Sequence, residues 1–329
     1  MKTAANGVLI PIPGKLNIVI AIASYLTAIG FLYGATVLTE WWQIALCAIG
    51  FAFIGNTMFS LLHESVHRLF HQNKSINDFF GQLSAMFFPT GFFFQRAFHL
   101  GHHRRNRTDV EMFDMYYPTD SRVLKFTQLY TVLLGFYWTA APFGGILYLL
   151  SPRILDASLF RSQHKYMKPM SMDAMLSGLD NVDPKRVRWE LLVTLLFQLA
   201  LIFVLGITFK AWIICYWSFA MLWGSLQYAD HAWSKRDIRN GAWNLKVNRF
   251  VQYIFLNYHH HLAHHQYPYV PWIHLHKFVD FSAERPSHFK IWLKMWLGPT
   301  LTMEASPEQL SQEFEKVLYQ GPSSTEEAR

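Results

Sequence analysis

The chain has 329 residues, of which 52% are hydrophobic and only 16% charged, against about 25% charged in an average soluble domain. Uncharged runs of about 20 residues exclude a disordered or collagen-like chain and point to a membrane protein, and two cysteines, Cys47 and Cys215, without a CxxC spacing exclude a disulfide scaffold. The net charge of +7 arises from 29 basic and 22 acidic residues that lie largely between the apolar runs, which fits anchoring at a cytoplasmic membrane face better than nucleic-acid binding.

The first run, residues 16–39, holds 24 residues without a charge. It is too long for the core of a signal peptide and reads as a retained span. The second, 41–62, follows directly after Glu40; a third and a fourth, 191–209 and 211–229, are separated only by Lys210. At 1.5 Å per residue these lengths give roughly 28 to 36 Å of helix, enough to cross about 30 Å of hydrocarbon. The expected fold is therefore all-α and integral to the membrane, with four transmembrane helices in two tight hairpins.

Between the hairpins, residues 126–150 are uncharged but contain Ala141-Pro142-Phe143-Gly144-Gly145. A single crossing here would put the histidine clusters before and after it on opposite sides of the bilayer. A re-entrant or interfacial hairpin, broken at Pro142-Gly144-Gly145 and packed against protein, keeps them together. The segments 63–122 and 153–188 each carry seven Lys or Arg. Both are expected to be cytoplasmic, with both termini, beneath a histidine-rich cap. Arg104, Arg105 and Arg107 read as membrane-surface anchors. Near the end, Ser306-Pro307-Glu308-Gln309 predicts the start of a short acidic helix over about 307–319. Residues 1–329 read as one membrane-bound domain.

Histidine placement carries the chemistry. Ten of 16 histidines fall in the windows 63–67, 99–103 and 259–265, where random placement would put about one. His63 and His67 stand at i, i+4; His99, His102 and His103 at i, i+3, i+4; His261, His264 and His265 repeat the second spacing. On a helix each set shares a face. His231 stands just past the fourth run. Nine imidazoles on one membrane face exceed what one metal binds, so two metals are expected. HESVH satisfies the zinc-protease pattern HExxH, but such a site has no use for two further HxxHH boxes. His259 and His260 read as outer or surface residues beside the third box.

HESVH at 63–67, HLGHH at 99–103 and HLAHH at 261–265 resemble, in order and separation, the three boxes of the integral-membrane fatty acid desaturase family, which includes related hydroxylases and carotenoid ketolases. The likeness extends to Asn257-Tyr258 before the third box and to Tyr267-Pro268 and Val270-Pro271-Trp272 after it. Gln227 stands where the family carries an asparagine, four residues before His231. The resemblance implies a non-haem di-iron centre held by His63, His67, His99, His102, His103, His231, His261, His264 and His265, with O2 as co-substrate. Electrons come from a separate donor of ferredoxin, rubredoxin or cytochrome b5 type, and the substrate is a fatty acyl lipid. Glu64, Asp230, Asn257 and Gln227 are expected to orient the ligands, with Asp109 and Asp114 as further carboxylate candidates. Hydroxylation, ketolation and alkene-forming decarboxylation are alternatives on the same scaffold. A membrane metal-binding or transport protein fits less well, since transporters place their ligands at mid-membrane on broken helices.

Overall fold

The computed structural model describes residues 2–3, 9–155, 176–180 and 182–310. Helices α1 (Gly14–Val37) and α2 (Trp41–Val66) form an antiparallel pair. Both are apolar and long enough to cross a bilayer. α2 runs one turn past the predicted end of the second span and so carries His63 in its last turn, with His67 as its C-cap.

α3 (Lys74–Phe87) and α4 (Phe92–Arg105) follow. The Asn73 side chain caps α3 by accepting from the Ser75 and Ile76 amides. Pro89, with φ of 28°, and Gly91 turn the chain into α4, which carries the whole second box. α5 (Arg122–Leu133) and α6 (Ala140–Leu150) complete the segment between the hairpins.

The segment expected to be re-entrant bends by 84°, but not where the sequence suggested. The turn falls at Leu134-Gly135, where Gly135 adopts φ of 83°, a left-handed conformation that favours glycine. Pro142 instead lies in the first turn of α6, where its missing N–H costs no intrahelical bond.

α7 (Pro184–Phe203) and α8 (Phe209–Ala229) stand where the third and fourth spans were expected. Neither is apolar enough throughout to be assigned as a crossing by composition, so among the described residues two helices qualify, or three with the bent α5–α6 pair. α7 opens with Lys185, Arg186, Arg188 and Glu190, and α8 is rich in Trp and Tyr. They also diverge: α8 lies along α2, whereas α7 packs on α3, α4 and α6. Near their turn, Trp212 Nε1 donates to Gln198 Oε1 at 2.8 Å and Gln198 Nε2 to the Tyr216 hydroxyl at 3.1 Å.

α8 approaches α5 closely at Gly224. A methyl group there would stand 2.6 Å from the Val132 carbonyl oxygen, a backbone atom that cannot swing aside. Gly224→Ala is expected to cost about 1–3 kcal/mol, the range for overpacking, read as a lowered thermal midpoint of the detergent-solubilised chain. An unchanged midpoint would show that the two helices part freely.

Three short helices, α9 (Arg249–Ile254), α10 (His261–Gln266) and α11 (His288–Met295), belong to the arm after α8. The arm is tied back to the first hairpin. Trp272 Nε1 donates to Asn17 Oδ1 at 3.0 Å, and the Trp272 amide donates to Glu64 Oε2 at 3.2 Å. Strands Met115–Tyr116 and Thr300–Leu301 pair in parallel and bring the C-terminal segment beside the loop after α4.

The acidic helix predicted from residue 307 does not begin there, as residues 302–310 carry no helix. The would-be capping groups are engaged elsewhere: the Ser306 hydroxyl accepts from the Asp109 amide at 3.2 Å, and the Leu310 amide donates to the Arg104 carbonyl at 3.0 Å. Residues 311–319 lie outside the described residues.

Candidate metal centre

Nine imidazoles converge in two groups. His63, His67, His99, His103 and His264 form one; His102, His231, His261 and His265 form the other. Within each group one nitrogen per residue lies within 4.8 Å of every other. All are buried except His102, which is partly so.

Helix geometry explains the partition. Residues i and i+4 lie about 40° apart around a helix, while i+3 lies about 60° to the other side of i. His99 and His103 on α4 therefore join one group and His102 the other. On α10, His261 and His265 join the second group and His264 the first. The second and third boxes each contribute an i, i+4 pair to one group and a single residue to the other.

The nitrogens suit a metal. His67 Nε2 stands 2.8 Å from His99 Nε2, His103 Nε2 3.1 Å from His99 Nε2, and His264 Nε2 3.0 Å from His103 Nε2. Neutral imidazoles carry one N–H each, and this many converging nitrogens are better satisfied by a cation. His63 Nε2, His261 Nδ1 and His265 Nε2 are buried without a hydrogen-bond partner among the described residues. Burial, reinforced by neighbouring imidazoles, holds His67, His99, His103, His264, His261 and His265 well below the usual histidine range. Burial and the nearby His102 do the same to His231. These rings are neutral at physiological pH, as ligation requires. The all-imidazole set fits Fe, Zn, Cu or Ni by donor type.

Outer partners fix two of the rings. His231 Nδ1 donates to the Gly241 carbonyl at 2.8 Å, and His102 Nδ1 donates to Glu111 Oε2 at 2.5 Å, leaving Nε2 of each for metal. Burial would raise the Glu111 carboxyl, but His102 and Arg105 outweigh it and hold the group below its usual value. Glu111 was not among the carboxylates expected from the sequence. Of those, Asp109 pairs with Arg236 at 2.7 Å and Asp114 with Arg107 at 2.8 Å. Glu111→Gln keeps the shape and removes the charge. It is expected to weaken metal binding at the His102 group by about 10- to 100-fold, measured by competition with a chelator; binding equal to the native chain would leave Glu111 without this role.

The residues expected around the ligands are placed as follows. Glu64 is buried beside His63, His261 and His264 around a small chamber and accepts from the Trp272 amide. Gln227 Oε1 accepts from the Tyr258 hydroxyl at 2.6 Å, and Tyr258 in turn packs against His63 and His261, one from each group. Asp230 is fully buried, and its carboxylate oxygens have no hydrogen-bond partner among the described residues. Burial raises its carboxyl well above the usual range. Asn257, at φ of 58°, braces the turn before the third box: its Nδ2 donates to the Trp272 carbonyl at 3.1 Å.

One expectation is corrected. Arg104, Arg105 and Arg107 are no surface anchors, being 3%, 1% and 1% exposed; the first two end α4 and the third lies in the loop after it. His259 and His260, read as outer or surface residues, are buried, their rings 3.9 Å apart.

A cavity of about 270 Å3 adjoins the centre. His99, His102, His231 and Gln227 form part of its wall; Phe59, Phe88, Phe94, Trp223 and residues of α6 form much of the rest. Its wall thus includes members of both imidazole groups, His99 of one and His102 and His231 of the other.

No curated protein matches the chain. The family model for fatty acid desaturases matches residues 39–292, a stretch that contains all three boxes, His231 and the cavity. With its buried imidazole groups in place, the chain belongs to the fatty acid desaturase family, a family of oxidoreductases.

Proposed function

We propose that this chain is a membrane-bound enzyme that removes two hydrogens from a fatty acyl chain at a pair of iron ions, using O2 and electrons from a separate donor protein. The observation that carries this reading is an apolar cavity whose wall includes members of both imidazole groups. A saturated methylene has no acidic proton and no electrophilic carbon, so side-chain acid–base chemistry does not act on it. The nine histidines would hold the iron, which would supply O2 activation. The chain's own residues gather those imidazoles, orient His102 and His231 through Glu111 and Gly241, and line the cavity with an aromatic wall that excludes water. The chain has no CxxC pair to ligate an electron-transfer cluster of its own; a ferredoxin, rubredoxin or cytochrome b5 type donor fits the need. The basic segments support a cytoplasmic location for the boxes and both termini, which requires α7 and α8 as a second crossing pair.

The test compares lipid extracts of cells expressing the native chain and its His264→Ala variant by mass spectrometry, together with the iron content of each purified chain. Species lighter by two hydrogens only with the native chain, and iron near two per chain, support the reading. Species that gain oxygen instead transfer it to hydroxylation or ketolation. An iron-free native chain that changes no lipid overturns it.

A further inference from the structure

The cavity beside the metal centre is not closed along α6. Ala140, Phe143, Gly144 and Leu147 line it, and their i, i+3, i+4, i+7 spacing makes them one stripe of the helix. A stripe facing a sealed cavity would be buried. Here Ala140 is exposed, Phe143 is 65% exposed, and Gly144 and Leu147 are half-buried. The opposite side of α6 carries its packing: Gly145 lies against Leu191 of α7, and Tyr148 is buried in the same cluster as Phe94 and Leu191. On the helix circumference Phe143 stands between the cavity stripe and a third face, Ile146 and Leu150, both exposed. That face is apolar, and the bent α5–α6 pair is together long and apolar enough to be a broken or re-entrant membrane segment. Lipid, not water, is therefore what it meets. Gly144 leaves the opening unfilled: a methyl group there would meet only the Phe94 ring, at 3.7 Å, among the described residues. Phe94 and Phe98 of α4 line the cavity too, and the same helix carries His99 and His102 in its wall.

The space itself, about 270 Å3, is smaller than the roughly 300–1,000 Å3 of sites that enclose a drug-sized ligand. It takes a section of one acyl chain, not a complete membrane lipid. We propose that the substrate is an acyl chain resident in the bilayer, which enters sideways along the α6 stripe, past Phe143 and Gly144, while the rest of the lipid stays in the membrane. This rests on the reading of the cavity as the acyl site. A chain that passes from hydrocarbon into an apolar cavity exposes no apolar surface to water on the way. The polar part of the wall offers no such route. Asn106 donates to the Ile238 and Gly241 carbonyls, Arg107 to Asp114, and Glu111 holds His102, so a chain entering there would displace paired polar groups. A thioester on a water-soluble carrier would also first have to bring its chain through water. A free fatty acid and an intact phospholipid both present a bilayer-held chain, and the test separates them.

The test uses the full iron-loaded chain in phospholipid nanodiscs. A hexadecanoyl chain bearing a photoactivated diazirine is supplied as free acid in the bilayer, as one chain of phosphatidylcholine, or as the thioester of acyl carrier protein in the water. Cross-links are mapped by mass spectrometry on the native and Gly144→Leu chains. A bilayer form is expected to label the cavity residues Phe94 and Trp223, and the form that does so names the source; the carrier thioester leaves them unlabelled. Gly144→Leu lowers that labelling by at least about tenfold, the lower end for an overpacked contact. Ile146 and Leu150, on the lipid-facing side, are labelled as before. Cavity labelling by the carrier thioester equal to or above that of the bilayer forms, no cavity labelling by any form, or native cavity labelling in Gly144→Leu overturns the assignment. If Gly144→Leu does not retain iron, the three-form comparison on the native chain decides alone. A chain that is loaded from the water and desaturates its acyl group defeats this inference and leaves the proposed function standing. A chain that is loaded from the bilayer but oxidises no lipid defeats the proposed function instead.

Discussion

His264→Ala is expected to strip metal from the five-imidazole group and to lower turnover by more than about 100-fold, beyond the 10- to 100-fold that follows from loss of an outer partner alone. The position is singular within its group. His63 and His67 come from α2, His99 and His103 from α4, and His264 alone is supplied by α10. Its ring centroid lies 4.3 Å from that of His63, 4.7 Å from that of His67 and 4.9 Å from that of His103, so it closes the group on the side of the third box. Alanine leaves a buried void at that corner and also removes the nitrogen that meets His103 Nε2 at 3.0 Å. His265 points to the other group and does not substitute for it. Metal analysis of the purified variant separates the two groups: the native content should fall by about half, because the four-imidazole group keeps all its members. A variant with native iron content and native turnover would remove His264 from the ligand set.

The convergence of the nine histidines was readable because helix periodicity is a local property. The spacings i, i+3 and i+4 already place each box on one face; that the 100° step between i+3 and i+4 sends the two to different groups is seen only in the structure. The fold supplies what spacing cannot: that α4 and α10 each stand between two groups, and that the loop after α4 turns inward. That inward turn hid Glu111. Asp109, Glu111 and Asp114 lie within six residues of one another, and nothing in their spacing says which meets an imidazole. Each answers to a different partner: Arg236 for Asp109, His102 for Glu111, Arg107 and Tyr228 for Asp114. Arg104 and Arg105 at the end of α4 and Arg107 after it are buried too, although such charge in a membrane protein otherwise reads as surface anchoring. In the segment between the hairpins the sequence reading placed the break at Pro142-Gly144-Gly145 and passed over Gly135. A proline in the first turn of a helix is a start signal as much as a stop, and α6 begins there.

Asp114→Asn is expected to cost about 3–5 kcal/mol of stability, the range for breaking a buried ion pair from one side. Asp114 is fully buried and receives four donors. Arg107 Nη1 and Nη2 reach its two oxygens at 2.8 and 3.0 Å, the Tyr228 hydroxyl donates at 2.7 Å, and the Trp233 amide at 2.6 Å. Burial alone would raise the Asp114 carboxyl, but Arg107 and the other donors outweigh it and hold the group below its usual value. Its contribution is therefore present at neutral pH and is lost as pH falls below 3.8 toward the lowered folded value. Asparagine retains the shape but leaves the Arg107 charge buried without a counter-charge. The damage should reach the metal. Tyr228 and Trp233 flank His231 on either side, and Arg107 follows the second box, so this pair fixes the His231 arm against α4. Loss of iron from the four-imidazole group is expected before global unfolding, with the five-imidazole group retained. Thermal unfolding in detergent and iron content of the Asp114→Asn chain measure both effects. The double variant Arg107→Met with Asp114→Asn removes the stranded charge and should recover much of the lost stability. A single variant as stable as the native chain, or a double variant no better than the single, would show that the stranded Arg107 charge is not what destabilises the fold.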